Sequence, residues 1–68
     1  KLKKIYRIMQ ELKPEYKSVI YLSEFEGFST DEISKILNIT FIQTKTLLYN
    51  ARKKFKNLLE KEGINYNE

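Results

Sequence analysis

Apolar positions recur at helical spacing over most of the chain and break at a few punctuating residues. Leu2, Ile5, Ile8 or Met9 and Leu12 lie three or four apart and predict a first helix over residues 2–12. Pro14 stops it, because the residue before a proline is pushed out of the helical region. Proline suits the first turn of the next helix. That helix is predicted over residues 15–26, with Tyr16, Val19, Ile20, Leu22 and Phe25 on its buried side. Gly27 ends it, and Phe28 packs back across the turn. A third helix over residues 30–37 turns Ile33, Ile36 and Leu37 inward. A fourth runs over residues 41–62 and is closed by Gly63.

Two of these helices carry their own caps. Ser29-Thr30-Asp31-Glu32 and Thr40-Phe41-Ile42-Gln43 both fit the capping box, in which a hydroxyl and a side chain three residues on satisfy each other's free backbone N–H groups. Between the helices stands Leu37-Asn38-Ile39. After glycine, asparagine most easily takes the left-handed backbone that a helix end needs. Two helices across so short a turn make a helix-turn-helix, whose second helix is the one that enters a DNA major groove. The expected architecture is therefore all-α. Residues 1–62 form a four-helix domain with a helix-turn-helix, no winged element and a long C-terminal recognition helix. Residues 63–68 form a polar tail that frays.

Projected at 3.6 residues per turn, the fourth helix separates into faces. Thr44, Leu48, Ala51, Phe55, Leu58 and Leu59 fall together as a core stripe. Ile42, Gln43, Thr46, Tyr49, Asn50, Lys53 and Asn57 lie opposite. Lys45, Arg52 and Lys56 line one flank, Leu47 and Lys54 the other. The outward N-terminal half is thus polar, hydrogen-bonding and edged with cations.

Composition narrows the function. The 68 residues suffice for one small domain. There is no Cys and no His, which removes disulfides, thiolate chemistry and the commonest zinc ligands. Any Ser, Thr or Lys nucleophile would lack an imidazole to activate it. No catalytic residue, metal or cofactor is assigned, and the chain is not expected to be an enzyme. Asp31 and Glu32 are cap chemistry rather than a catalytic pair. No apolar run approaches the ~20 residues of a membrane span, so no membrane insertion is expected, and the expected location is cytoplasmic. Because the chain starts at Lys1 rather than Met, it is expected to be a piece of a longer protein, its N-terminal part missing.

The net charge of +4 is unevenly spread. The first thirteen residues carry Lys1, Lys3, Lys4, Arg7 and Lys13 against Glu11. The middle is acidic, with Glu15, Glu24, Glu26, Asp31 and Glu32 against Lys17 and Lys35. The fourth helix is basic again, with Lys45, Arg52, Lys53, Lys54, Lys56 and Lys61 against Glu60. A basic recognition element is the electrostatic footprint of a phosphate binder.

These motifs, in this order, resemble a known family. Leu12-Lys13-Pro14-Glu15-Tyr16-Lys17, Val19-Ile20-Tyr21-Leu22 and Phe25-Glu26-Gly27-Phe28-Ser29 are similar to the opening of region 4 of a sigma-70 family factor. The stretch from Asp31 to Thr40 resembles that region's "EIA-x-x-L-G-I-S" turn. Lys45-Thr46 and Ala51-Arg52-Lys53-Lys54-Phe55 resemble its "V-K-S-R-L-x-R-A-R-x-x-L" recognition helix. The resemblance spans about residues 2–59, and the branch it suggests is the extracytoplasmic-function type. It implies a four-helix domain that binds double-stranded promoter DNA at the −35 element and docks on the β-flap of core RNA polymerase. It also implies possible masking by an anti-sigma factor. Asn38 stands for the usual Gly and Ser34 for the usual Ala. Leu47 and Asn50 stand where the family commonly has arginines, a loss that weakens phosphate binding and its salt dependence.

Base-edge chemistry assigns roles on the fourth helix. Gln43 and Asn50 can each pair bidentately with adenine, and Thr46 or Leu47 can touch a thymine methyl, so the expected site leans to A·T. Gln43 has capping as a competing role, and Leu47 has packing against Leu58 or contact with a partner. Lys45, Arg52, Lys53 and Lys56 are assigned to phosphates, with Tyr49 against sugar or backbone. Thr30, at the N-terminus of the third helix, offers a further phosphate site that Asp31 and Glu32 oppose. The Glu24-Phe25-Glu26 patch and the basic first helix are candidates for protein partners. Two other readings stay open: an interaction module of the same fold that holds the polymerase flap or an anti-sigma factor with only weak DNA contact, and a stand-alone helix-turn-helix regulator.

Overall fold

A computed structural model describes residues 2–64; the side chain of Leu2, assigned above to the first apolar stripe, and the tail residues 65–68 lie outside the description. Four α-helices follow one another: α1 (Leu2–Met9), α2 (Pro14–Ile20), α3 (Thr30–Leu37) and α4 (Phe41–Lys61). A π-helical turn, Tyr21–Phe25, extends α2. No strand occurs among the described residues. The all-α, four-helix expectation holds.

Each boundary has a local cause. α1 ends three residues before its predicted limit and tightens, as Glu11 and Leu12 donate to the carbonyls of Ile8 and Met9 at 3.0 Å. These i to i−3 bonds carry the chain towards Lys13, whose extended backbone meets Pro14 at the start of α2. Both capping boxes form. Glu32 N–H donates to Ser29 Oγ at 3.1 Å, and Ser29 N–H to Glu32 Oε1 at 2.8 Å. Gln43 N–H donates to Thr40 Oγ1 at 3.0 Å, and Thr40 N–H to Gln43 Oε1 at 2.9 Å. Asn38 takes the left-handed backbone at φ 58°, and Ile39 N–H then reaches the Ser34 carbonyl at 3.0 Å, closing a Schellman turn. Gly63, at φ 78°, closes α4 in the same way, with Ile64 N–H on the Leu59 carbonyl and the Ile64 side chain against the core. Of the tail expected to fray, Gly63 and Ile64 therefore belong to the packed body.

The core sits where α4 meets the other three helices. Ile8, Met9 and Leu12 come from the α1 end of the chain, Val19 and Ile20 from α2, and Ile33 from α3. The predicted stripe of α4 is buried in full: Thr44, Leu48, Ala51, Phe55, Leu58 and Leu59. Thr44 is completely buried, yet its hydroxyl donates to the Thr40 carbonyl at 2.8 Å, so no polar atom is orphaned there. Ser34 is buried on α3 and donates to the Asp31 carbonyl at 2.6 Å.

Three burial expectations fail. Phe25 is 39% exposed. The π-helical turn, in which Glu26 N–H bonds Tyr21 O at 3.0 Å, inserts an extra residue and rotates Phe25 off the stripe that Val19 and Ile20 define. Phe28 is also left exposed, although its N–H closes the turn on the Leu22 carbonyl at 2.9 Å. Ile36 is 52% exposed. α3 buries Ile33, small Ser34 and half-buried Leu37, and Ile36 lies at the edge of that arc.

Candidate nucleic-acid interface

Local bonds at the turn set the entry of the second helix of the helix-turn-helix. The Schellman turn at Asn38 sets the exit of α3, and the Thr40–Gln43 box sets the start of α4. Burial of Thr44, Leu48, Ala51 and Phe55 then decides which side of α4 looks outward. Ile42, Gln43, Thr46, Tyr49, Asn50, Lys53 and Asn57 are all exposed, as the projection predicts.

The candidate contacts separate into two grooves, one on each flank of α4. The first is lined by Thr30, Lys45, Tyr49, Arg52, Lys53 and Lys56, together with buried Leu48. All six residues assigned to phosphates thus share one concave surface, and the N-terminal residue of α3 sits at its edge. The second is lined by Ile42, Gln43, Thr46, Leu47 and Asn50 facing Lys13, Glu15 and Tyr16 at the start of α2. All four residues assigned to bases therefore lie on the α2 side of the helix.

Individual residues differ in how free they are. Thr46 and Asn50 are exposed. The Gln43 side-chain carbonyl accepts from the cap, which takes one of its two lone pairs and ties the amide back to Thr40 instead of leaving it free to aim at an adenine. Leu47 is half-buried and packs against the core. Arg52 Nε donates to Glu24 Oε2 at 2.9 Å and Nη2 to Ser23 Oγ at 2.6 Å, so its guanidinium is held by the π-helical turn.

Two features escaped the sequence reading. Ile42, at 70% exposed, and Phe41 beside it put apolar side chains into water on the first turn of α4. The projection already set Ile42 outward, and an apolar residue on a wet turn was the available signal. The tie of Arg52 to Glu24 spans 28 residues and left no periodic trace.

A second exposed surface lies on the α1 and π-helical side. The rings of Tyr6 and Tyr21 each meet Phe25 edge-on, at centroid distances of 5.7 Å. The Tyr21 hydroxyl is hydrogen-bonded to Glu26, which together with that carboxylate's charge raises its pKa above the usual 10.0.

No group of acidic side chains suited to a metal ion occurs among the described residues. No helix among them is long and apolar enough to cross a membrane. No curated protein and no solved structure matches the chain. Among protein families, Sigma-70, region 4, matches residues 2–55, which take in all of α1, α2, the π-helical turn, α3 and α4 as far as Phe55. With its capped helix-turn-helix and every residue of the basic groove but Lys56 inside the matched stretch, the chain belongs to the sigma-70 region 4 family, a DNA-binding domain of transcription initiation.

Proposed function

We propose that this domain recognises the −35 element of a promoter through α4 and recruits RNA polymerase to it. The observation that carries the reading is the single groove holding Thr30, Lys45, Tyr49, Arg52, Lys53 and Lys56 beside the outward polar face of α4. A phosphate strand along that groove meets Lys45, Lys53 and Lys56 and the amide end of α3. Thr46 and Asn50 then face base edges, Asn50 on adenine and Thr46 on a thymine methyl. Ile42 joins them as an apolar contact to thymine. Gln43 serves chiefly the cap and Leu47 chiefly the core, so both are assigned a minor share of readout. The exposed Tyr6, Tyr21 and Phe25 surface is the side assigned to the polymerase flap, with an anti-sigma factor as a competing occupant. The domain works where the polymerase works, in the cytoplasm, and takes no part in catalysis.

The test is a titration of the chain against a randomised duplex library at rising salt. Enrichment of a short A·T-containing motif that is lost on Asn50→Ala or Thr46→Ala is the expected result. Lys45→Ala weakens all sequences alike and lowers the salt slope by about 0.9. Binding without any motif would reject base readout.

A second reading is an interaction module of the same fold with weak DNA contact. Two observations favour it: Leu47 is drawn into the core, and Arg52 is already paired within the chain. Absence of duplex binding, together with capture of a flap peptide, would select it.

A further inference from the structure

We infer that Glu24, with Ser23, is an intramolecular latch on the side edge of Arg52 that a DNA phosphate displaces, and that this acid thereby lowers the domain's DNA affinity. The inference rests on the DNA-binding reading above.

Arg52 lies on the groove with Lys45, Lys53 and Lys56, and no acidic residue lines that groove. Of the two edges by which its guanidinium can grip a carboxylate or a phosphate through two parallel bonds, Nη1 with Nη2 and Nε with Nη2, the second faces the π-helical turn. That edge is taken. Nε bonds Glu24 at 2.9 Å, Nη2 bonds Ser23 at 2.6 Å, and the Ser23 hydroxyl in turn lies 3.3 Å from Glu24 Oε2. The three groups close a small network between the π-helical turn and α4.

The carboxylate stands where a phosphate oxygen would stand. It cancels a cation of the groove and holds the gripping edge away from any incoming strand. The pair is part-exposed, with 46% of the arginine and 33% of the glutamate side chain accessible, so solvent screens it and the bond is weak enough to exchange. A DNA phosphate brings the same geometry with two neighbouring strands of charge behind it, and Lys45, Lys53 and Lys56 favour it over the lone carboxylate. Glu24 is then released to solvent, and Arg52 gains a phosphate partner. Arg52 offers its Nε–Nη2 edge to a phosphate only after breaking this bond.

The experiment is a double-mutant cycle on the 68-residue chain, using Glu24→Gln, Arg52→Gln and the pair, with a labelled random-sequence duplex read by anisotropy at several salt concentrations. Glu24→Gln should tighten binding about fivefold at low salt and leave the salt slope within about 0.3 of wild type, because Arg52 meets a phosphate in both complexes. In the Arg52→Gln background the same change should move affinity less than about twofold. Ser23→Ala, which removes only the second bond, should give a smaller gain in the same direction. A loss of affinity in Glu24→Gln would make the acid a support that aims Arg52 at DNA and would overturn the latch. An equal gain with and without Arg52 would reduce Glu24 to a distant charge and overturn it too. If wild type binds and Glu24→Gln is unchanged, the latch alone falls. If neither binds any duplex, the DNA-binding reading falls with it.

Discussion

Asn38 carries the turn on one side chain. Its φ of 58° belongs to the left-handed region, where a β-carbon crowds the following carbonyl. Asparagine tolerates that region better than other non-glycine residues because its short polar side chain bonds locally. Asn38→Ala should cost about 1 kcal/mol in a chemical unfolding titration, while Asn38→Gly should stay within a few tenths of the parent. An equal loss for both would place the role of Asn38 in its side-chain contacts rather than its backbone. The same economy of local bonds explains Thr44. Its fully buried hydroxyl returns to the Thr40 carbonyl, which also accepts the Thr44 N–H at 3.0 Å, so the residue sits in the core without an unpaired polar atom.

At the scale of elements, α4 has two jobs along its length. Its N-terminal turns carry the polar face and the groove, and its C-terminal turns bury Leu58 and Leu59 in the core that Ile8 and Met9 of α1 share. The three residues ahead of buried Thr44 are all exposed, so the first turn of the helix is held mainly by its capping box. Thr40→Ala should cost about 1 kcal/mol of stability. It should also raise amide exchange over residues 41–44 and lower DNA affinity, because the first turn that carries Ile42 frays. Loss of stability without faster exchange at those amides would show that the box is not what holds the turn. The π-helical turn is the counterpart at the end of α2. It puts Ser23 and Glu24 beside Arg52 and leaves Phe25 in a ring contact with Tyr6 and Tyr21. One short irregular element thus touches both exposed surfaces of the domain.

For the whole molecule, stability is thin. A domain of this size commands about 3–10 kcal/mol in total. Ile20 is completely buried where α2 meets the core, and Ile20→Ala should remove about 2–5 kcal/mol. Thermal unfolding should show that variant largely or wholly unfolded at 37 °C. Ile36→Ala, at a residue half in water, should leave the transition within a few degrees of the parent. A comparable loss from both would mean that α3 packs by its Ile36 side, against the arrangement seen here.

Much of this domain was legible along the chain. The bounds of α3, both capping boxes, the left-handed Asn38 and the complete core stripe of α4 follow from bonds and spacings within a few residues of one another. Such features depend on the backbone and on the helical period, which a sequence states directly. Tertiary structure decided the rest. Whether Ile36 or Ser34 faced the core depended on how closely α3 could approach its neighbours. Phe25 left the core because the backbone took one extra residue in its last turn, an alternative that a fixed 3.6-residue period does not contain. Leu47 was drawn inward by the packing around its flank of α4. Arg52 met Glu24 only because the packing of α4 on α2 and α3 brought it within side-chain reach of the π-helical turn, joining two charges that nothing along the chain relates.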